Sequence, residues 1–425
     1  MGTRVSLLLA ASVGVVALAF TTPAGAHDIP LINSCGPPKD PPAGQISASP
    51  NVEHLTWMPG EAGDMNAGGR LVGHYFYVTG LSHFSIYDVA KPETPKLVSR
   101  TDFPCRFENE DVSTDGNTLV YSDFATTGDL YVYDVRDKEH PKLLADVLGA
   151  GTHTMSCLLD CRYLYGTYRA NGSAGPLTTG EVVDLRDPAK PMVLGDWTDH
   201  GVLPSRKAHD VTEVAPGIVV TASAPIEVLD ARADPTRPKV LARSPDATKR
   251  YHSVDWPRKG KDAFILADFE TNATPRCELG SGDFTTFDAT KIAQTGKITP
   301  IDSWYLTNGT FADGSPTANV GLGCSPHWFQ VRPSWHDGGV VALGAYDHGT
   351  RFLRVDRSGK ISEIGHLLLP GTNASAAYWI TCDIVYSVDY TRGLDVMRFK
   401  DPASDCRPAA APSDSASSRL ARRVG

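Results

Sequence analysis

The hydrophobic pattern of the chain consists of short runs of β-forming residues separated by polar turns. Four segments share one pattern: an apolar run that ends in Asp, a polar turn, and a Pro before the next apolar run. They occupy residues 84–97, 130–143, 181–194 and 226–240. Fainter copies follow at residues 284–288, 352–356 and 394–399, and Arg398 replaces the Asp in the last copy. Because the 3.6-residue period of a helix is nowhere sustained, the pattern predicts an all-β chain.

The length of the repeat is typical of one propeller blade. Its anchor positions are 88, 134, 184, 230, 288, 356 and 398, which lie 42 to 68 residues apart with a mean of about 52. In the second unit we predict strands at residues 110–113, 118–123, 129–134 and 142–147, and four short strands per repeat make a blade. The sequence therefore predicts a single seven-bladed β-propeller of four-stranded blades over residues 27–407. A pair of β-sandwiches is the rival architecture, and the wide spacing of units five and six leaves room for an insertion or an eighth partial blade.

Two details of the repeat carry structural expectations. The anchoring Asp follows a strand, so its carboxylate is expected to accept backbone N–H groups in the next turn. The seventh unit fades after Asp401, so an N-terminal strand is expected to complete the last blade, and we assign residues 29–33 to it.

The repeat resembles a known family. The pattern of an apolar strand, Asp-Val, and a Pro-x-x-Pro-x-Leu-Val-like segment is similar to the LVIVD repeat of exported bacterial β-propellers. The resemblance is good over residues 70–245 and poorer over residues 250–400. It implies a propeller fold and little about chemistry, because this repeat carries no catalytic motif of its own.

Both ends of the chain differ from the repeats. Residues 1–26 have the anatomy of a secretory signal peptide: Arg4, a sixteen-residue apolar run, and a small-residue site ending at Ala26. The run is shorter than a membrane-spanning helix needs. Residues 408–425 are rich in Ala, Pro and Ser and are expected to form a disordered tail. We therefore expect a secreted protein, or a periplasmic one if the host has an outer membrane, with no integral membrane segment after cleavage.

Charge and cysteine content agree with that expectation. The formal net charge is −9, so no general basic field exists to hold nucleic acid. All eight cysteines follow Ala26, and an even number in an exported chain favours disulfides. The sequence does not determine their connectivity. The candidate pairings are Cys157 with Cys161 as a local clip, Cys35 with Cys406 across the closure, and Cys277 with Cys324.

The candidate chemistry lies just before the first strand of most units. Five histidines and one glutamate occupy this repeat position, and the seventh unit has Asn373 there. Since equivalent positions in a propeller are related by rotation about the axis, these side chains are expected to form a ring at one end of the central channel. Imidazoles and a carboxylate suit Zn, Cu or Fe. The candidate metal ligands are His54, Glu110, His153, His209, His252 and His327.

Two functions follow from this pattern. The first is an exported binding or scaffold propeller for an unknown extracellular protein, glycan or small molecule, in which the histidines bracket neighbouring blades. The alternative is a metalloenzyme, redox or hydrolytic, with a transition metal held by the ring. Asp111 and Asp210, which follow ring residues, are interpreted either as partners that orient imidazoles or as turn caps.

Overall fold

The structure is a computed structural model that describes residues 46–59, 65–106, 110–124, 127–168, 180–198, 208–246, 248–271, 282–306 and 324–401. The signal segment 1–26, the tail 408–425 and the expected closing strand 29–33 lie outside these residues. No helix among the described residues is long and apolar enough to cross a membrane.

Seven antiparallel sheets form the blades of one propeller, which confirms the predicted fold class and blade number. Around the axis, the first strands of blades five, four, three, two, one, seven and six pack against one another in that order. Blade one contains Asn66–Val72, Tyr75–Gly80, His83–Asp88 and Lys96–Asp102; blade two Ser113–Thr114, Thr118–Ser122, Leu130–Asp134 and Lys142–Val147; blade three Met155–Leu158, Tyr163–Gly166, Glu181–Asp184 and Met192–Asp196.

The later blades keep the same order and take up the N-terminal strands. Blade four contains Asp210–Ala215, Ile218–Ala222, Glu227–Asp230 and Lys239–Arg243; blade five Val254–Asp255, Phe264–Phe269, Asp283–Asp288 and Thr299–Tyr305, with short helical turns at Pro257–Gly260 and Ile292–Thr295; blade six Phe329–Val331, Gly339–Gly344, Thr350–Val355, Ile361–Leu368 and the added Ser47–Ala48; blade seven Ala374–Trp379, Ile384–Asp389, Gly393–Phe399 and Val52–Met58.

An N-terminal strand closes the ring, as expected, but the assignment to residues 29–33 was wrong. The outer position of blade seven is filled by Val52–Met58, which pairs antiparallel with Gly393–Phe399. In the same region Ser47–Ala48 pairs with Ile361–Leu368. The first unit therefore begins only at Asn66–Val72, because the segment that precedes it belongs to the last blade.

The anchoring aspartates act as predicted. Asp88, Asp134 and Asp184 each end the third strand of a blade and accept the backbone N–H of the residue two positions on, at 2.9–3.0 Å. Asp230, Asp288 and Asp356 make the same contact at 2.8–3.1 Å. The carboxylate thereby fixes the turn into the outer strand, which explains why this residue marks the repeat.

The hydrophobic core is divided between neighbouring blades. In one such cluster the rings of Tyr165 and Trp197 stack with centroids 5.3 Å apart, and the indole N–H of Trp197 donates to the Gly166 carbonyl at 2.9 Å. The alternating residues of each strand thus pack against the blades on either side, and the inner ends of the strands are left to line the axis.

The described cysteines are all in disulfides. Cys157 and Cys161 are bonded to each other across the hairpin turn of blade three, as predicted, with Cα atoms 4.4 Å apart. Cys105, Cys324 and Cys382 are also disulfide-bonded. The expected Cys35–Cys406 and Cys277–Cys324 pairings involve residues outside the described ranges and stay predictions.

Candidate metal centre on the propeller axis

Five of the six predicted ring residues lie together at one end of the axis. Each precedes the first strand of its blade, so rotation from blade to blade brings their side chains to a common point. All five are buried, with at most 1% of their surface exposed. The members of this axial cluster are Glu110, His153, His209, His252 and His327.

His54 is not a member of the axial cluster, and its inclusion in the ring was wrong. It lies on Val52–Met58, the outer strand of blade seven, where it faces Met397. Its Nε2 is 2.8 Å from Asp395 Oδ1, and 22% of its side chain is exposed. The closing strand carries this residue to the rim because it pairs with the end of the chain.

In the first and seventh blades the ring residues are amides. Asn66 opens the first strand of blade one, and Asn373 immediately precedes that of blade seven. Both are buried, and their Oδ1 atoms have no hydrogen-bond partner among the described residues. The repeat position is therefore polar in all seven blades, although only five of its residues belong to the axial cluster.

Glu110 lies at the centre of the axial cluster. Its Oε1 is 3.0 Å from His327 Nε2, and its Oε2 is 3.5 Å from His252 Nε2 and 3.7 Å from His153 Nε2. The Tyr390 hydroxyl donates to Oε1 at 2.8 Å. A carboxylate among several imidazoles in a water-poor site attracts a cation strongly.

Trp328 also reaches this carboxylate. Its indole N–H donates to Glu110 Oε2 at 3.3 Å, and its ring centroid lies 5.3 Å from that of His252. The indole and the Tyr390 hydroxyl donate to different oxygens, so each oxygen of the carboxylate accepts one of these hydrogen bonds.

The tautomer of His327 follows from its contacts. Nδ1 lies 2.8 Å from the Ser375 carbonyl oxygen, which can only accept, so Nδ1 carries the proton. Nε2 of a neutral ring then presents a lone pair to Glu110 Oε1 at 3.0 Å. Two acceptors this close require a proton or a metal ion between them, and the Nδ1 contact is the orienting bond expected of a ligand.

The remaining imidazoles face one another. The Nε2 atoms of His153 and His209 are 2.9 Å apart, and the ring centroids of His209 and His252 are 3.7 Å apart. The ring of His252 lies 4.2 Å from that of His327. The rings therefore converge on the axis, although His327 also makes the contact with a neighbouring backbone that a bracket role requires.

Burial keeps these imidazoles neutral. Burial, followed by the neighbouring His327, lowers the pKa of His252 to about 4. Burial and the adjacent His252 and His153 hold the pKa of His209 well below its ordinary range. Neutral imidazole is the form that binds a metal, so the histidines are ready ligands at neutral pH.

Glu270 is a sequence-distant member that the repeat pattern did not reveal. It follows the second strand of blade five, and its Oε2 lies 3.8 Å from His252 Nε2. The Tyr346 hydroxyl donates to its Oε1. Tyr168, Tyr346 and Tyr390 occupy similar places after the second strands of their blades. A search of this second repeat position for polar side chains would therefore have found Glu270 and these tyrosines.

The carboxylates that follow two of the ring residues accept hydrogen bonds from hydroxyl groups. Asp111 and Asp210 accept hydrogen bonds from Ser156 at 2.7 Å and Thr212 at 3.1 Å, which are hydroxyl groups and not imidazoles. Burial raises the pKa of Asp111, and burial together with Asp111 raises that of Asp210.

Asp268 lies closer to the ring. Its Oδ2 is 3.9 Å from His252 Nδ1, and its Oδ1 accepts the Ser253 backbone N–H at 2.8 Å. Burial raises the pKa of Asp268 to about 8. This carboxyl group lies behind the His252 ring, but the separation is longer than a hydrogen bond.

The donor atoms form three overlapping sets, in each of which they lie within 4.8 Å of one another. The sets are Glu110, His252 and His327; Glu110, His153 and His209; and His209, His252 and Glu270. Nitrogen and carboxylate oxygen donors at these separations fit zinc, copper or iron.

Comparison with known proteins agrees with the fold. The chain is similar in structure to the β-propeller domain of Myceliophteria thermophila Cps50 (Swd1), with a TM-score of 0.54 and 13% sequence identity, over 79% of this chain and 98% of that chain. No family model matches the chain, and no curated protein matches it. At this identity the similarity shows the β-propeller architecture alone.

Proposed function

We propose that the protein is an exported metalloenzyme whose axial cluster binds a transition metal. The observation that supports this most strongly is the convergence of four buried imidazoles and Glu110, with donor separations of 2.9–3.7 Å. A structural metal site is usually closed by four protein ligands, whereas a catalytic site has three and keeps one position for water or substrate. Each donor set of this cluster contains three residues, which is the number of a catalytic site.

The wider setting supports the same proposal. Seven blades already close the fold through strand pairing and packed cores, so the architecture needs no metal for its closure. The described cysteines are all disulfide-bonded, which suits an oxidising, extracellular compartment. Membership of the LVIVD-repeat family is part of the proposal and rests on the repeat residues.

The metal, when bound, would polarise a substrate oxygen or lower the pKa of a bound water. The chain would then contribute two things. Glu110 and the imidazoles would fix the ion, and Tyr346, Tyr390 and Trp328 would hold the carboxylates in place through their donated hydrogen bonds.

The test is the metal content of untagged mature protein. We expect a stoichiometric transition metal by elemental analysis, and its loss in the variant His209→Ala/His252→Ala. His54→Ala is the matched control, because this histidine lies on the outer strand and should leave the metal in place. Metal at 100 times its Kd should also stabilise the fold by about 2.7 kcal/mol. A metal-free protein that neither retains nor takes up a transition metal would contradict the proposal.

A second candidate function is a binding surface on the outer strands. Leu97, Leu143 and Val193 occupy the same repeat position in blades one to three, and more than 40% of each side chain is exposed. Exposed apolar residues in consecutive blades suit a protein partner. If this face carries the function, Leu97→Asp/Leu143→Asp/Val193→Asp abolishes partner capture from the extracellular medium, whereas His209→Ala/His252→Ala leaves it unchanged.

A further inference from the structure

We infer that the axial cluster holds two divalent metal ions bridged by Glu110, and not a single ion. This inference rests on the proposed function and specifies its site. It concerns the number of ions and the division of ligands between them.

The first argument is distance. Ligands that bind one ion at 2.0–2.2 Å are at most about 4.4 Å apart, which is the separation of two donors on opposite sides of the ion. His327 shares a set with Glu110 and His252, whereas His153 shares a set with Glu110 and His209. Among the described residues no set contains both His153 and His327. One ion therefore reaches only part of the cluster.

The second argument is the orientation of Glu110. His327 Nε2 approaches Oε1 at 3.0 Å, whereas His252 Nε2 and His153 Nε2 approach Oε2 at 3.5 Å and 3.7 Å. A carboxylate with imidazoles at both oxygens has the arrangement of a bridge. Ions in two-metal sites are about 3.5–4 Å apart, which matches a bridge of this size.

The third argument is the state of His252. It is 1% exposed, and neither of its ring nitrogens has a hydrogen-bond partner among the described residues. Leaving buried polar atoms without a partner is costly, and metal binding would give one of these two nitrogens a partner. His252 belongs to two of the three sets, so it lies where the two ion positions meet.

The chemistry of the donors indicates the ion. Imidazoles and carboxylates from Glu110 and Glu270, with no thiolate in any of the three sets, favour zinc or another divalent first-row metal. The first ion would be held by His252, His327 and Glu110, and the second by His153, His209 and Glu110. Glu270 would offer a further carboxylate oxygen beside His209 and His252, with which it shares a donor set.

The test counts ions on the full-length exported protein. After removal of metal with a chelator, Zn²⁺ is added back, free metal is removed, and zinc is measured per chain. We expect two ions in the wild type, one in His327→Ala, one in His153→Ala, and two in the control His54→Ala. One ion in the wild type would overturn the two-ion inference and leave the proposed function intact. No ion would overturn both.

A spectroscopic measurement covers the case in which a histidine variant fails to fold. Wild-type protein loaded with two equivalents of Mn²⁺ should show the spin-coupled spectrum of a bridged pair. Glu110→Gln, which keeps the size of the side chain, should weaken that coupling. The six-line signal of isolated Mn²⁺ in the wild type at two equivalents would refute the bridge.

Discussion

A buried ion pair on blade seven provides a quantitative test of how the ring is closed. The Asp395 carboxylate, with 1% of its side chain exposed, accepts two hydrogen bonds from Arg392, from Nε at 2.8 Å and Nη2 at 3.0 Å. It also accepts His54 Nε2 from the closing strand at 2.8 Å. The perturbation is Asp395→Ala, which removes all three contacts at once.

The expected loss follows from burial. The Arg392 side chain is only 7% exposed and would keep the Pro370 carbonyl at 3.1 Å and the ring of Trp57, whose centroid is 5.1 Å away. Removing one partner of a buried ion pair costs about 3–5 kcal/mol, because the remaining charge stays out of water. His54→Ala removes a single bond from a partly exposed ring and should cost about 1 kcal/mol.

The assay is unfolding in urea, with the free energy extrapolated to water. Arg136→Ala is the control: it breaks an Asp–Arg pair in which the Arg136 side chain is 73% exposed and leaves the backbone contact of Asp134 in place, so we expect a far smaller change. The double variant Arg392→Met/Asp395→Leu should lose less than Asp395→Ala, since no charge is left unpaired. A loss below about 1 kcal/mol for Asp395→Ala would refute the reasoning.

Three further predictions concern other parts of the fold. Cys157→Ala/Cys161→Ala should lower the free energy of unfolding by about 2 kcal/mol, from the entropy of the short loop that the disulfide closes, measured by urea unfolding against the oxidised wild type. In Gly68→Ala the new Cβ would lie 1.8 Å from the Glu110 carbonyl oxygen, so the backbone must shift. We expect a loss of about 1–3 kcal/mol and weaker zinc retention, and unchanged retention would contradict the position of Glu110. Burial raises the pKa of Asp255 to about 7. The folded state then keeps a proton that the unfolded state releases, so the free energy of unfolding of the wild type should fall as pH rises from about 4 to 7. Between pH 5 and pH 8 the free energy of unfolding of Asp255→Asn should therefore rise relative to that of the wild type. If the free energies of unfolding of Asp255→Asn and wild type differ by the same amount at pH 5 and at pH 8, the raised pKa of Asp255 is contradicted.

Local sequence patterns were sufficient for the architecture. The turn aspartates, such as Asp88 and Asp134, bond only two residues along the chain, so their effect is visible in the sequence of a single repeat. The predicted strands 118–123 and 129–134 lie within one residue of Thr118–Ser122 and Leu130–Asp134 for the same reason. The position of the axial histidines was predictable because duplication places one repeat residue at one point of each blade.

Long-range pairing decided what the sequence could not. His54 shares the local pattern of the ring histidines, but its strand pairs with Gly393–Phe399, more than 300 residues away, and moves it to the rim. Glu270, Tyr346 and Tyr390 reach the cluster from the ends of second strands, where only the closed ring makes them neighbours of the histidines. The sequence by itself determined the repeating unit, because hydrogen bonds within a blade are local. Only the tertiary structure decided which side chains meet on the axis, because rotation about a common centre joins residues that no local interaction connects.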